Sequence, residues 1–318
     1  MSSSSDTIVT WQTVERYTFQ IAGPIMMLIG SIGCFINLLV FTQKTLRKNP
    51  CAIYFIAFNI SNFLFICSLL LHLTLSLGYR IDPSLQIMDI CRLRVYTAVL
   101  FNTLSPFYLL LASIDRTLVT SPNVRTRQRS TQRLAFICIS VGLIFWSLFH
   151  SHVLIFSTVL QLSPTYSVCY FPRNDYRIFV GYYLLMKEII ALLLMILCGL
   201  WSIKNVQRIR RVDVGGDPSM IRADAKTFAN TTSGKDRQMI LMLLLDIIIY
   251  ILFSFSYAIM LVYQQMTRYD IKSTERVEIE RVIINLSLFV INIPSCTSCY
   301  ANLIASKTFR NAVKKVLF

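Results

Sequence analysis

Two pairs of charged residues interrupt or end long apolar runs, and they are the first candidates for chemistry. Asp115 and Arg116 end the run LLLASIDRTLVTSP, while Lys187 and Glu188 lie inside a later run. A charge at the depth of a bilayer is costly and usually marks function, and it normally faces the interior of a helix bundle. The sequence therefore predicts functional positions at the end of one apolar run and within another.

The apolar runs themselves predict the architecture. Hydrophobic residues make up 55% of the 318 residues, which is too apolar for soluble domains. Stretches long enough to cross a hydrocarbon core of about 30 Å as helices recur seven times with short polar breaks. We predict an all-α membrane protein, a seven-transmembrane helix bundle over residues 20–305, with spans at about 20–43, 52–77, 91–120, 134–160, 178–203, 239–264 and 277–305.

The two ends of the chain lie outside this bundle. Residues 1–19 are polar and Ser-rich and lack the pattern of a cleavable signal peptide, so the first span is expected to act as its own signal anchor. In residues 306–318, Phe309, Val313 and Val316 alternate with basic residues at helical spacing. This pattern predicts a short amphipathic helix lying on the inner leaflet.

The distribution of Lys and Arg sets the expected orientation. If the N-terminus is extracellular, 20 of the 31 basic residues lie on the inner face, which then holds the whole net charge of +15. We therefore expect a multi-pass plasma-membrane protein with an extracellular N-terminus. Topology and attraction to anionic membrane lipid account for the charge, so nucleic acid is not an expected partner.

Cysteine placement and the absence of catalytic motifs narrow the function further. Most of the nine cysteines lie within spans, whereas Cys91 and Cys169 fall on the oxidising outer face, which favours a disulfide between them. The sequence contains no metal-ligand cluster, phosphate loop or nucleophile elbow. We expect neither an enzyme nor a bound cofactor or metal.

Together these features resemble the rhodopsin-like (class A) family of G-protein-coupled receptors over essentially the whole chain. The most specific likeness is the separation of 25 residues between Cys91 and Arg116, which the family uses between its bridging cysteine and its Asp-Arg-Tyr arginine. Thr117 replaces the tyrosine. Asn37 and Trp146 stand where the family has its first-span asparagine and fourth-span tryptophan, residues that also bond neighbouring helices in membranes.

Other positions depart from the family pattern. Asn62 replaces the second-span aspartate, so the negative charge for a sodium ion is missing there. Ser254 stands in place of the sixth-span tryptophan. In the seventh span, Asn302 falls at the tyrosine of Asn-Pro-x-x-Tyr, Tyr300 is a candidate substitute, and Asn292-Ile293-Pro294 looks like a displaced kink. These losses make ligand-driven activation a weaker expectation than the fold.

The resemblance implies a mechanism at the inner face. It implies that Arg116 pairs with acids in the resting state and faces a heterotrimeric G protein when freed, with Asn302 and Tyr300 among the switch residues. Asp115 and Asp236 are the expected acids. The alternative for Asp236 is one charge in a solvated run.

The resemblance also implies an extracellular ligand in the outer half, where cavities among helices are the usual sites. Ala98 replaces the aspartate of amine receptors, and the seventh span has no retinal-binding lysine. Mixed charges in residues 268–281 favour a peptide, and the sixth-span ending YQQMT is similar to invertebrate neuropeptide-type orphan receptors. The ligand-contact candidates, each with helix packing as the alternative, are Tyr96, Ala98, Asn102, Tyr183, Lys187 and Tyr257.

Two alternatives stay open at this point. The first is a receptor-like protein whose signalling is lost or independent of ligand, because switch residues are missing. The second is a small-solute transporter, which would show symmetric halves and several intramembrane charges. Lys187, Glu188 and Asp246 are the ionisable residues well inside the predicted spans.

Overall fold

The computed structural model of the protein describes residues 2–47, 49–121, 123–163, 166–171, 174–215 and 234–317. Seven helical segments within this part are long and apolar enough to cross a membrane, and they are called the first to seventh spans. They run over Asp6–Phe41, Pro50–Gly78, Met88–Val119, Gln132–Phe156, Asp175–Ser202, Gln238–Met266 and Thr274–Ala305. The predicted all-α seven-helix membrane fold is confirmed.

The first span is part of a longer helix than the sequence pattern predicts. Helix Ser2–Tyr17 continues through a π-helical turn, Thr18–Ala22, into helix Gly23–Phe41. At 1.5 Å per residue, the 36 residues of the span extend about 54 Å, well beyond the roughly 30 Å hydrocarbon core. Glu15 fixes the extension to the seventh span by accepting a hydrogen bond from the Asn285 side chain at 2.7 Å.

The second span contains two further π-helical turns. It consists of helix Pro50–Phe65, the turn Ile66–Leu70, helix Leu71–Leu73 and the turn Thr74–Gly78. A Cβ on Gly78 would come within 2.9 Å of the backbone nitrogen of Gln20, so only glycine allows this end of the second span to approach the first so closely.

The third span is the central helix and contacts the second, fourth, fifth and sixth. Its disulfide joins Cys91, near the start of helix Met88–Val119, to Cys169, with the two Cα atoms 5.7 Å apart. The predicted disulfide is therefore confirmed. The end of the bundle that carries it is called the disulfide end, and the opposite end, where Arg116 lies, is called the arginine end.

A two-stranded antiparallel hairpin interrupts the otherwise helical chain at the disulfide end. The fourth span, helices Gln132–Phe149 and His152–Phe156, is followed by β1 (Thr158–Ser163) and β2 (Tyr166–Tyr170). We predicted that the fourth span would continue to residue 160. Because β1 pairs with β2 and the disulfide holds β2 on the third span, the chain leaves the helix earlier.

The remaining helices complete the bundle. The fifth and sixth spans belong to helices Asn174–Gly215 and Gly234–Met266, and the seventh is broken at residues 291–292 into Thr274–Val290 and Ile293–Ala305. Helix Lys307–Leu317 follows, with Phe309 buried against Phe41 at a ring distance of 5.7 Å. Short helices Lys44–Arg47, Pro83–Leu85 and Val124–Arg127 lie between spans.

Removing the disulfide should destabilise the helix bundle, because the bond closes a separation of 78 residues. We expect Cys91→Ser, Cys169→Ser and the double variant to lower the midpoint of thermal unfolding in detergent equally. Loss of such a bond typically costs about 2 to 4 kcal/mol. Cys67→Ser, which changes an exposed free thiol, is the matched control. A double variant as stable as wild type would contradict the prediction.

Candidate functional site

Arg116 is the largest fully buried side chain among the described residues, with 1% of its surface exposed. Its Nη2 donates to Asp115 Oδ2 at 2.6 Å and to Asn49 Oδ1 at 2.8 Å, and its Nε donates to the same Asp115 oxygen at 3.2 Å. Ser130 donates to the other carboxylate oxygen of Asp115. The guanidinium charge is therefore compensated inside the protein, with Asp115 and Asn49 among its partners.

Asn49 has a second role, because it begins the second span. Its Oδ1 also accepts a hydrogen bond from the backbone nitrogen of Cys51 at 3.1 Å, which caps the helix. Pro50 occupies the first helical position, where a missing backbone N–H has no cost. One amide oxygen therefore connects the start of the second span to the end of the third.

Two threonines join the end of the third span to the fifth. The Thr117 and Ser202 hydroxyls lie 3.1 Å apart, and Thr120 accepts from the Asn205 amide at 3.3 Å. Thr117 thus makes a short polar contact between these spans. Asp236 lies in helix Gly234–Met266, but its side chain falls outside the described residues, so its pairing with Arg116 stays a prediction.

Asn62 ties three spans together near the middle of the bundle. Its Oδ1 accepts hydrogen bonds from Ser105 of the third span and, at 3.1 Å, from Ser295 of the seventh. Asn37 donates to Asn59 Oδ1 at 2.7 Å, joining the first and second spans. Each asparagine is fully buried, so its hydrogen bonds fix helix positions where no water competes.

Trp146 packs between the third and fourth spans. Its ring lies 6.2 Å from that of Phe107 in an edge-on arrangement and 5.6 Å from that of His150. His150 in turn accepts from or donates to Tyr183 at 2.8 Å through Nε2. The tryptophan therefore belongs to an aromatic contact that extends to the fifth span.

Asp246 is a buried acid of the sixth span, with 4% of its surface exposed. Its carboxylate faces Ser298 and Asn302 of the seventh span, yet its Oδ2 has no hydrogen-bond partner in the described part of the chain. Both amide atoms of Asn302 likewise lack a partner there. The predicted switch position Asn302 thus lies beside an acid, whereas Tyr300 donates to the backbone of Ile29 at 3.1 Å, on the first-span side.

Lys187 and Glu188 form a buried ion pair, with Nζ and Oε1 2.6 Å apart and side-chain exposures of 7% and 2%. Lys187 also donates to the backbone oxygen of Asn102 at 3.2 Å, and Tyr250 donates to Glu188 Oε2 at 3.1 Å. Adjacent residues diverge by about 100° around a helix. Their long side chains nevertheless converge, and the pair joins the third, fifth and sixth spans.

A small cavity of about 20 Å³, enough for about one water molecule, lies between these polar groups. The second, third, fifth, sixth and seventh spans line it, and its polar lining residues are Asn62, Asn102, Ser105, Glu188, Asp246, Tyr250, Ser254 and Ser295. Two buried acids and a set of hydroxyl and amide groups therefore face one interior space.

The six predicted ligand-contact residues do not share one cavity in the described structure. Asn102 lines the central cavity and meets Lys187, whereas Tyr96 donates to the backbone of Ser147 at 3.1 Å on the fourth span. Tyr183 bonds His150, and Tyr257 is buried beside Phe65 and Leu261. Ala98 is half-buried on the third span. Their contact with a ligand stays a prediction.

The comparison with known families agrees with this geometry. The family model described as the 7 transmembrane receptor (rhodopsin family) matches residues 34–299, from within the first span to within the seventh. The chain belongs to the rhodopsin family of seven-transmembrane receptors. A search of the curated proteins found no match.

In this receptor, several functional contacts are missed when the sequence is considered alone. Asn49 could be recognised as a helix cap from Asn-Pro, but not as a partner of Arg116, because 67 residues separate the two. No sequence pattern indicates that Tyr250 donates a hydrogen bond to Glu188. Gln238 accepts from the Thr308 backbone nitrogen at 2.6 Å and from the Ser306 hydroxyl at 2.8 Å, which joins the sixth span to the last helix.

Replacing Asp246 should stabilise the receptor, because this buried acid has no ion pair with any described residue. Asp246→Asn keeps the side-chain shape and removes a group that is costly to bury when charged. We expect a gain of about 1 to 3 kcal/mol, seen as a higher midpoint of thermal unfolding. Asp89→Asn, at an exposed position, is the control. A lower midpoint for Asp246→Asn alone would refute the expectation.

The Lys187–Glu188 pair should show strong coupling in a double-mutant cycle. Lys187→Met or Glu188→Gln alone leaves a buried charge without its partner, which typically costs about 3 to 5 kcal/mol. The double variant should lose less unfolding free energy than the two single variants together. Thermal unfolding of the four proteins measures this. Glu278→Gln at the more exposed Arg281–Glu278 pair is the control, with an expected change below about 1 kcal/mol, because Arg281 keeps its pairing with Glu15. Additive effects would show that the pair is not coupled.

Proposed function

We propose that this receptor binds an extracellular ligand, a peptide, and activates a heterotrimeric G protein through the arginine end. The observation that carries the proposal is the burial of Arg116 between Asp115 and Asn49. A buried guanidinium cannot contact another protein until these partners release it. The observed arrangement therefore fits a resting state, and activation would expose the charge.

The contacts around Arg116 suggest which elements must move. The sixth span is joined to the last helix through Gln238, whose Oε1 accepts two hydrogen bonds at 2.6 and 2.8 Å. Outward movement of the sixth span would break both bonds and open the space beside the third span. Because Asn49 belongs to the second span, Arg116 would then have to leave Asn49 as well as Asp115 to reach a partner.

The buried charge pair offers a route from the disulfide end to this movement. Tyr250 joins the sixth span to Glu188, and Lys187 joins the fifth span to the third. Tyr250 lies 12 residues from Gln238, about 18 Å along the same helix. A ligand that shifted the fifth span would therefore act on a rigid helix whose far end holds the Gln238 bonds.

Charged groups at the disulfide end support a peptide as the ligand. Arg276 Nε lies 3.0 Å from Glu280 Oε1, and Lys272 also pairs with Glu280, over the ring of Tyr263. Arg276 and Asp270 are substantially exposed at 41% and 50% of their side chains. Accessible charges of both signs suit the termini and side chains of a peptide. The similarity to neuropeptide-type receptors stays a prediction, as does an extracellular N-terminus in the plasma membrane.

Ligand-independent signalling is the second candidate, and Ser254 favours it. This residue is buried in the wall of the central cavity where the family has a large aromatic switch residue. A serine fills far less space than an aromatic ring. A ligand would therefore make less contact with the sixth span at this position and would have less effect on its movement. The same protein would then exchange nucleotide on its G protein without any peptide.

Nucleotide exchange on purified G proteins, with the receptor in nanodiscs and with a neuropeptide library, tests the proposal. We expect exchange that a peptide increases and that Arg116→Ala abolishes. Equal exchange without peptide would favour ligand-independent signalling. Solute flux in liposomes without exchange would overturn the receptor proposal and favour a transporter.

The role of Asn49 can be tested in the same assay. Asn49→Ala removes one acceptor of Arg116 and the cap of the second span, so basal exchange should rise about tenfold if about 1.4 kcal/mol of resting-state stabilisation is lost. The matched control is Asn123→Ala, which removes a cap of the short helix Val124–Arg127. If both variants behave alike, Asn49 acts only as a cap.

A further inference from the structure

A groove of about 390 Å³ runs along the outside of the bundle between the second and third spans, near the disulfide end. It is called the lateral groove. Its deeper walls are apolar and include Cys67, Leu71 and Phe101. Leu71 and Leu93 are 37% and 58% exposed, so this face of the bundle is turned toward the membrane. An acyl chain is the occupant that such walls suit.

The opposite end of the lateral groove is basic. Arg94 lines it together with His72, and the guanidinium of Arg94 makes no hydrogen bond or ion pair with any described residue. The nearby acid, Asp82, attracts Arg94 electrostatically but makes no hydrogen bond or close ion pair with it. Its Oδ1 accepts from the backbone nitrogen of Ser84 at 3.0 Å and from the Ser84 hydroxyl, and its Oδ2 lies 3.6 Å from His72 Nε2. A cationic donor is therefore left at the mouth of an apolar groove.

The depth of Arg94 in the bilayer decides what can reach it. Arg94 precedes Arg116 by 22 residues, which is about 33 Å along the helix and close to the roughly 30 Å thickness of the hydrocarbon core. If Arg116 lies at one membrane face, Arg94 lies at the headgroup level of the other. Phe101, seven residues further along, is about 10 Å deeper. The lateral groove thus begins among headgroups and ends among acyl chains.

We propose that the lateral groove is a binding site for one membrane phospholipid, with its phosphate on Arg94 and an acyl chain along Leu71 and Phe101. A planar guanidinium presents paired donors that match phosphate oxygens. A long basic side chain near the end of a span extends to the membrane interface, where lipid phosphates lie. The site is distinct from the central cavity and does not depend on the proposed signalling.

Photo-crosslinking of the whole receptor in nanodiscs tests the site. The probe is a phosphatidylcholine with a diazirine on its acyl chain, and adducts are mapped by mass spectrometry of peptides. We expect adducts concentrated in residues 64–75 and 90–101. Arg94→Gln should reduce them at least fivefold, whereas Arg80→Gln, an exposed charge outside the groove at the same end, should not.

A second probe and a second variant separate headgroup recognition from ordinary contact with lipid. A diacylglycerol with the same diazirine chain lacks phosphate and should label these segments far less. Leu71→Trp keeps Arg94 but fills the groove, so it should also reduce labelling, and it decides the question if Arg94→Gln does not fold. Equal labelling by the two probes, or labelling unchanged in Leu71→Trp, would overturn the proposal.

Discussion

The cost of burying the charge of Arg116 constrains the whole arginine end. A guanidinium that is 99% covered needs a negative partner and further acceptors, or it would destabilise the bundle by several kcal/mol. Asp115 supplies the charge, Asn49 supplies the acceptor, and Ser130 holds Asp115. Because these residues come from the second span, the third span and the segment before the fourth, satisfying one charge fixes three parts of the chain relative to one another.

Other buried polar groups in the interior also join several spans through their hydrogen bonds. Asn62 joins the second, third and seventh spans, and the Lys187–Glu188 pair with Tyr250 joins the third, fifth and sixth. Within the membrane there is little hydrophobic force between helices, so such bonds and close packing determine their positions. The central cavity lies where these groups meet, and Asp246 Oδ2 and Asn62 Nδ2 are atoms of its lining residues that have no hydrogen-bond partner among the described residues. Hydrogen bonds therefore join the helices at most points of the interior, and fewer of them hold the sixth span beside Asp246.

Local patterns predicted the fold, while contacts between distant residues escaped prediction. Long apolar runs set the seven spans because backbone in lipid must be helical. The Cys91–Cys169 bond followed from the predicted topology, which placed these two thiols at the same end of the bundle. The Asn49–Arg116 contact joins residues 67 positions apart, and no local pattern encodes it. The helical N-terminus was missed because Ser and Thr favour turns, whereas here the Glu15–Asn285 bond holds the helix.

The uninterrupted backbone from Ser2 to Phe41 makes the N-terminus a rod rather than a tether. Its 40 residues extend about 60 Å, which is about 30 Å more than the hydrocarbon core is thick, and its end cannot swing independently of the first span without breaking helical hydrogen bonds. Any tilt of the first span is therefore magnified at the tip. A label or antibody attached there would report the tilt of the first span in the bilayer, because the two move as one helix.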